Sequence, residues 1–244
     1  MDPVTPPALE LDHLWAGYVA GIDVVQDVSL RVPAGGFYGV VGLNGAGKST
    51  LLRAITGFLA PRAGRVRLLG RDITGIAPHR CLTEGVYLLP QESSLFPYLT
   101  VAENLALVAR RRGTPLEEVH RHFPALASYW KSRAGDLSGG WQKMVECAKA
   151  VLARPRVLLV DEPAVGLAPG VAREVYAWIA RAHAEGTTVL LVDHNVQQVL
   201  TMTEYLYVLN LGRVVAEGPC AHFLGDVRGH IRQWLGLGGV PSAS

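Results

Sequence analysis

Phe37-Tyr38-Gly39-Val40-Val41-Gly42-Leu43-Asn44-Gly45-Ala46-Gly47-Lys48-Ser49-Thr50 is the stretch whose reading decides the fold. Phe37 to Val41 is a short apolar strand, Gly42 to Gly47 a glycine-rich loop. Lys48 to Thr56 then carries helical spacing at Leu51, Leu52 and Ile55, with Gly57 as a stop. Gly42 to Ser49 fits the P-loop pattern, in the strand–loop–helix order that the pattern requires. Glycines let the backbone fold back and aim several N–H groups at one anion, and the helix N-terminus adds partial positive charge. The pattern assigns Gly42, Asn44, Gly45, Ala46, Gly47, Lys48, Ser49 and Thr50 to phosphate binding, with Lys48 on the β and γ phosphates and the Ser49 hydroxyl on Mg²⁺.

Upstream, Leu9 to Leu30 shows period-2 fragments broken by Gly17 and Gly21, and Pro33 to Gly36 marks a turn; this reads as antiparallel strands. Downstream, Thr100-Val101-Ala102-Glu103 is a capping box that starts a helix running to about Arg110, and the chain from there to Ala153 is mostly helical in pattern. Strand and helix then alternate from Val157 to Leu209, which argues for a parallel sheet covered by helices. In that half, Val157-Leu158-Leu159-Val160 is an apolar strand ending in Asp161-Glu162. Ligands of open parallel sheets gather beyond the carboxyl ends of strands. Asp161 is therefore a candidate Mg²⁺ ligand, and Glu162 a candidate general base for an attacking water.

The 244 residues suit one large domain or two small lobes. Lys plus Arg (23) nearly balance Asp plus Glu (21), which argues against a dedicated nucleic-acid binder. Only 18% of residues are charged, against about 25% in average soluble domains. Either the core is large for the chain, or apolar surface is reserved for a partner. The richest apolar runs are too short for a spanning helix, and Met1-Asp2-Pro3 opens no signal peptide. Three scattered cysteines fit a reducing cytoplasm. His120 and His122 are two apart on a helix and share no face, so they read as surface residues, and Arg110-Arg111-Arg112 as a solvated helix end.

Leu137-Ser138-Gly139-Gly140 opens a helix between the loop and the acidic pair. With this segment in place, the sequence strongly resembles the ATP-binding-cassette (ABC) ATPases from about Leu9 to Gly236. The resemblance implies an α/β fold: a P-loop NTPase (RecA-like) core, an N-terminal antiparallel β subdomain and an inserted α-helical subdomain. It divides a single domain, 1–244, into core with β subdomain at 8–97 and 151–226, helical signature subdomain at 98–150, and C-terminal helix and tail at 227–244. It also implies roles for Tyr18 (stacking on adenine, the alternative being packing), Gln91 (Mg²⁺ and water) and His194 (γ-phosphate).

ABC ATPases work as head-to-tail pairs, so Ser138, Gly139, Gly140 and Gln142 would act on the ATP of a second ABC subunit. Separate permease subunits, a periplasmic or extracellular solute-binding protein and a peripheral place on the cytoplasmic face of the inner membrane follow from the same resemblance. The segment from Gln91 to Leu99, with the helical insert, is the expected docking face. Gly166-Leu167-Ala168-Pro169, Leu95-Phe96-Pro97 and Trp234-Leu235-Gly236 resemble the importers of branched-chain (hydrophobic) amino acids; urea or amide importers and the lipopolysaccharide exporter share the pattern. A soluble non-transport ABC ATPase is the remaining alternative. Two positions depart from the broad family: Trp141 stands where Gln is common, and Ala168 where many relatives have Asp.

Overall fold

β1 (Leu9–Ala16) buries Leu9 and Leu11 but then Leu14 and Ala16, a change of parity within one strand. His13, at φ 49°, marks the switch, and the register with β2 (Val25–Val32) shifts between Leu11 and Leu14. Such a bulge keeps the same face apolar after an extra residue is inserted. This explains why the N-terminal alternation is only fragmentary in sequence. A computed structural model describes residues 6–234 and divides into two compact units, Met1–Ala77 with Thr188–Ser244, and Pro78–Thr187.

In the first unit, β1 pairs with β2 and with β4 (Ala63–Leu68), and β5 (Arg71–Asp72) closes a four-stranded antiparallel sheet in the order β2-β1-β4-β5. A second set of strands centres on β3 (Phe37–Val41), which lies parallel to β8 (Thr188–Asp193) on one side and β9 (Tyr205–Asn210) on the other. β10 (Arg213–Pro219) runs antiparallel to β9. Every residue of β8 is buried, as expected for a parallel strand covered on both faces. α1 (Lys48–Ile55) follows the glycine loop, α7 (Val196–Met202) packs on β3, and α8 (Cys220–Phe223) and α9 (Val227–Trp234) end the described chain. Residues 235–244 of the expected tail, with the Leu235-Gly236 marker, lie outside the described residues.

The second unit holds α2 (Pro78–Glu84), the parallel pair β6 (Val86–Leu89) and β7 (Val157–Asp161), and α6 (Pro169–Ala184). It also holds α3 (Val101–Arg112), α4 (Glu117–His122), two 3₁₀ turns at Pro124–Tyr129 and Ala134–Asp136, and α5 (Gly139–Ala153). The Thr100 capping box forms, with Glu103 N–H donating to Thr100 Oγ1 and Thr100 N–H to Glu103 Oε2. The basic end of α3 is less solvated than its composition suggests. Arg112 donates to the carbonyls of Ala153 and Leu82, and Arg111 to that of His79, so the run ties three helix ends together. His120, half-buried, lies 4.5 Å from the ring of Trp130. Among the described residues no helix is long and apolar enough to cross a membrane.

Asn104 organises the turn that precedes α3. It is buried, accepts from Phe96 N–H at 2.8 Å and donates to the carbonyls of Phe96, Leu99 and Thr100. Asn104→Ala should lower unfolding stability by about 2 kcal/mol, the scale for stranding buried polar groups. An unchanged urea midpoint would show that the loop does not depend on this side chain.

Candidate functional site

The candidate residues fall into two groups, one in each unit. In the first, the loop after β3 is shaped by what surrounds it. A side chain at Gly42 would lie 2.2 Å from the carbonyl oxygen of Leu209 in β9, so only glycine lets the chain leave the sheet there. Gly47, at φ 101°, caps α1 from the left-handed region. The turn is pinned by Ala46 N–H to Leu43 O and by Gly212 N–H to Ala46 O. Lys48 is buried and arches back, its ammonium donating to the carbonyls of Gly42 (2.8 Å) and Leu43 (3.1 Å). Its charge is thus held at the loop, beside the first N–H groups of α1, where an anion is stabilised from two directions. Ser49 is half-buried and Thr50 buried in the first turn.

Tyr18 stands beside this turn. Its hydroxyl accepts from Arg53 Nη1 at 3.0 Å and lies 3.4 Å from Thr50 Oγ1, and the residue is 54% exposed next to exposed Val19 and Ile22. A flat apolar face held by its own hydroxyl and open to solvent is suited to stacking. His194 follows β8, where Asp193 pairs in register with Val41, the last residue before the loop. His194, Gly42, Leu43 and Asn44 line one cleft of about 490 Å³. Asp193 is buried; it accepts from Asn195 N–H at 2.9 Å, and His194 Nδ1 lies 3.5 Å from it.

In the second unit, β7 is buried throughout and delivers Asp161 and Glu162, both buried, at its carboxyl end. Glu162 takes φ 38°, an uncommon conformation for a residue with a Cβ, and its carboxylate accepts from Gln91 Nε2 at 3.5 Å. Gln91 and Glu162, 71 positions apart, are therefore neighbours. The Ser138 segment opens α5 as expected of an N-cap: Ser138 Oγ accepts from Trp141 N–H, and Ser138 and Gly139 are exposed. Trp141 packs against Tyr129 with ring centroids 4.5 Å apart and the rings tilted at 42°. Gln142 turns into its own unit, its amide donating to the carbonyls of Ala134 and Leu137.

Three polar residues with a part in this arrangement escape the motif reading. Asp193 is masked by its apolar strand. Lys143 and Glu146 are buried within α5; Lys143 holds the backbone of Pro90 and Gln91, and Glu146 that of Ser94. The available signal is two opposite charges three apart within an apolar helix, a spacing that shares one face. The thiols are not reactive candidates: all three cysteines are buried, and burial pushes Cys81 up to about 11.

The family model described as ABC transporter matches residues 25–165. The chain is 34% identical to the high-affinity branched-chain amino acid transport ATP-binding protein BraG of Pseudomonas aeruginosa, over 85% of this chain and 91% of that one. It is 35% identical to the lipopolysaccharide export system ATP-binding protein LptB of Acidithiobacillus ferridurans, over 89% and 92%. Among solved structures it is similar to the ADP conformation of MJ1267, an ATP-binding cassette of an ABC transporter, with a TM-score of 0.80 and 28% identity over 95% and 100% of the two chains.

Lys48→Ala should weaken ATP binding by tenfold or more, since a hydrogen bond to a charged group is worth roughly 1.5–3 kcal/mol. Titration calorimetry measures this directly, and an unchanged Kd would remove the assignment of the loop.

Proposed function

This chain belongs to the ABC transporter family of ATP-binding subunits and hydrolyses ATP, and from that premise we propose that it powers the uptake of branched-chain or other hydrophobic amino acids through separate permease subunits. The observation that carries the substrate class is the likeness to BraG and to a LivF of Archaeoglobus fulgidus (36% identical), each matched over 91% of its length. The LptB likeness, of similar identity and extent, supports lipopolysaccharide export as the second reading.

In the proposed cycle the loop and Lys48 hold the ATP phosphates, Tyr18 stacks on adenine, and His194 contacts the γ-phosphate. Glu162 orients and deprotonates the attacking water, and its burial and its bond from Gln91 support that role. Ser49, Gln91 and Asp161 are the proposed Mg²⁺ ligands; all offer oxygen, the donor type this cation takes. Bound Mg²⁺ would neutralise developing phosphate charge. Ser138, Gly139 and Gly140 act on the ATP of a second subunit; the exposure of Ser138 and Gly139 at the start of a fifteen-residue helix supports this. Gln142, turned inward, supports the shape of the segment. Permease docking at the segment from Gln91 to Leu99 is supported by the exposure of Phe96 and Tyr98, the latter 85% exposed.

Glu162→Gln should keep ATP affinity while turnover falls by about 10²-fold or more, the scale for losing a general base. It should also accumulate an ATP-bound dimer on size exclusion, which Ser138→Arg in the same background should abolish; a persisting dimer would contradict the head-to-tail arrangement. In cells lacking the gene, uptake of labelled leucine should be lost and should return with the wild-type chain but not with Glu162→Gln. Normal uptake combined with lipopolysaccharide retained at the inner membrane would decide for export.

A further inference from the structure

One ammonium group takes two neighbouring backbone carbonyls. Lys143 Nζ donates to Pro90 O at 2.7 Å and to Gln91 O at 2.8 Å. Lys143 lies in the middle of α5 and is only 5% exposed; burial pulls its pKa below the usual lysine value, with Cys147, Glu146 and Asp161 acting in the opposite sense. One helical turn on, Glu146 is fully buried and accepts from both the N–H (2.7 Å) and the hydroxyl (2.9 Å) of Ser94. Lys149 completes this second clamp, reaching Ser94 Oγ and Glu146 Oε2.

Charges buried among Met144, Val145, Cys147 and Ala148 cost stability unless they are fully engaged. A helix that needed only to pack would carry apolar residues at both positions. Here both are engaged by the same loop, 90–94, from one face of α5. Between the clamps, Gln91 directs its amide at Glu162.

We infer that Lys143 is a positioning residue for ATP hydrolysis: it fixes the backbone of Pro90 and Gln91 so that the Gln91 amide meets Glu162, while Glu146 anchors the far end of the loop through Ser94. The inference rests on the reading of Gln91 and Glu162 as parts of the hydrolytic site. It also ties Gln91 to the helix that begins at Ser138.

The test is a double-mutant cycle on the full chain with Lys143→Met, Gln91→Ala and the pair. Lys143→Met should lower kcat by about tenfold with KM for ATP within about twofold, the pattern of an interaction made in the transition state. In the Gln91→Ala background the same substitution should lower kcat no further, because its effect passes through Gln91. Wild-type kcat in Lys143→Met, or losses that multiply in the pair, overturns the inference while leaving Gln91 in place. Wild-type kcat in Gln91→Ala overturns both readings. If Lys143→Met does not fold, Lys143→Gln, which keeps a shorter neutral donor, enters the same cycle with the same expected non-additivity.

Discussion

A strand buried on both faces can carry polar chemistry only where it ends. β7 and β8 are buried at every position, and each closes on an acid, Asp161 and Asp193, followed at once by Glu162 and His194. β3 obeys the same constraint and ends in a loop of glycines. Inside such strands an ionised group would lose its hydration without compensation. At their carboxyl ends, turns and helix starts supply N–H partners, as Asn195 does for Asp193. The register of Val41 with Asp193 then makes the loop and His194 neighbours in the first unit.

Helix α5 answers a different demand. Its first turn leaves Ser138 and Gly139 open to solvent, and its middle takes hold of the 90–94 loop with charged side chains. Trp141, a departure from the commoner Gln, faces Tyr129 and so has a packing role. Ala168 caps α6 without a side-chain bond, and Pro169 begins the helix with its φ already suited to it.

The low charge of the chain has two sources. Part is the core, where β7, β8 and most of β3 and β9 are apolar and buried. The other part is exposed apolar surface, at Tyr18, Val19, Ile22 and Phe58 in the first unit and at Phe96, Tyr98 and Leu107 in the second.

The sequence by itself determined everything whose signal is local. The glycine loop, the Thr100 capping box, the apolar strand before Asp161 and the helix start at Leu137–Gly140 each lie within a few consecutive residues, and backbone chemistry dictates them at that range. Only the tertiary structure decided which distant groups meet. The bulge at His13 depends on a partner strand, Arg112 on the ends of two other helices, and the Gln91–Glu162 bond on a separation of 71 positions. Lys143 and Glu146 look like an ordinary helical charge pair until the loop they hold is folded against them. The reason is that burial is a property of the packed molecule. It turns a solvated charge into one that must find a partner, and the choice of partner is made by packing.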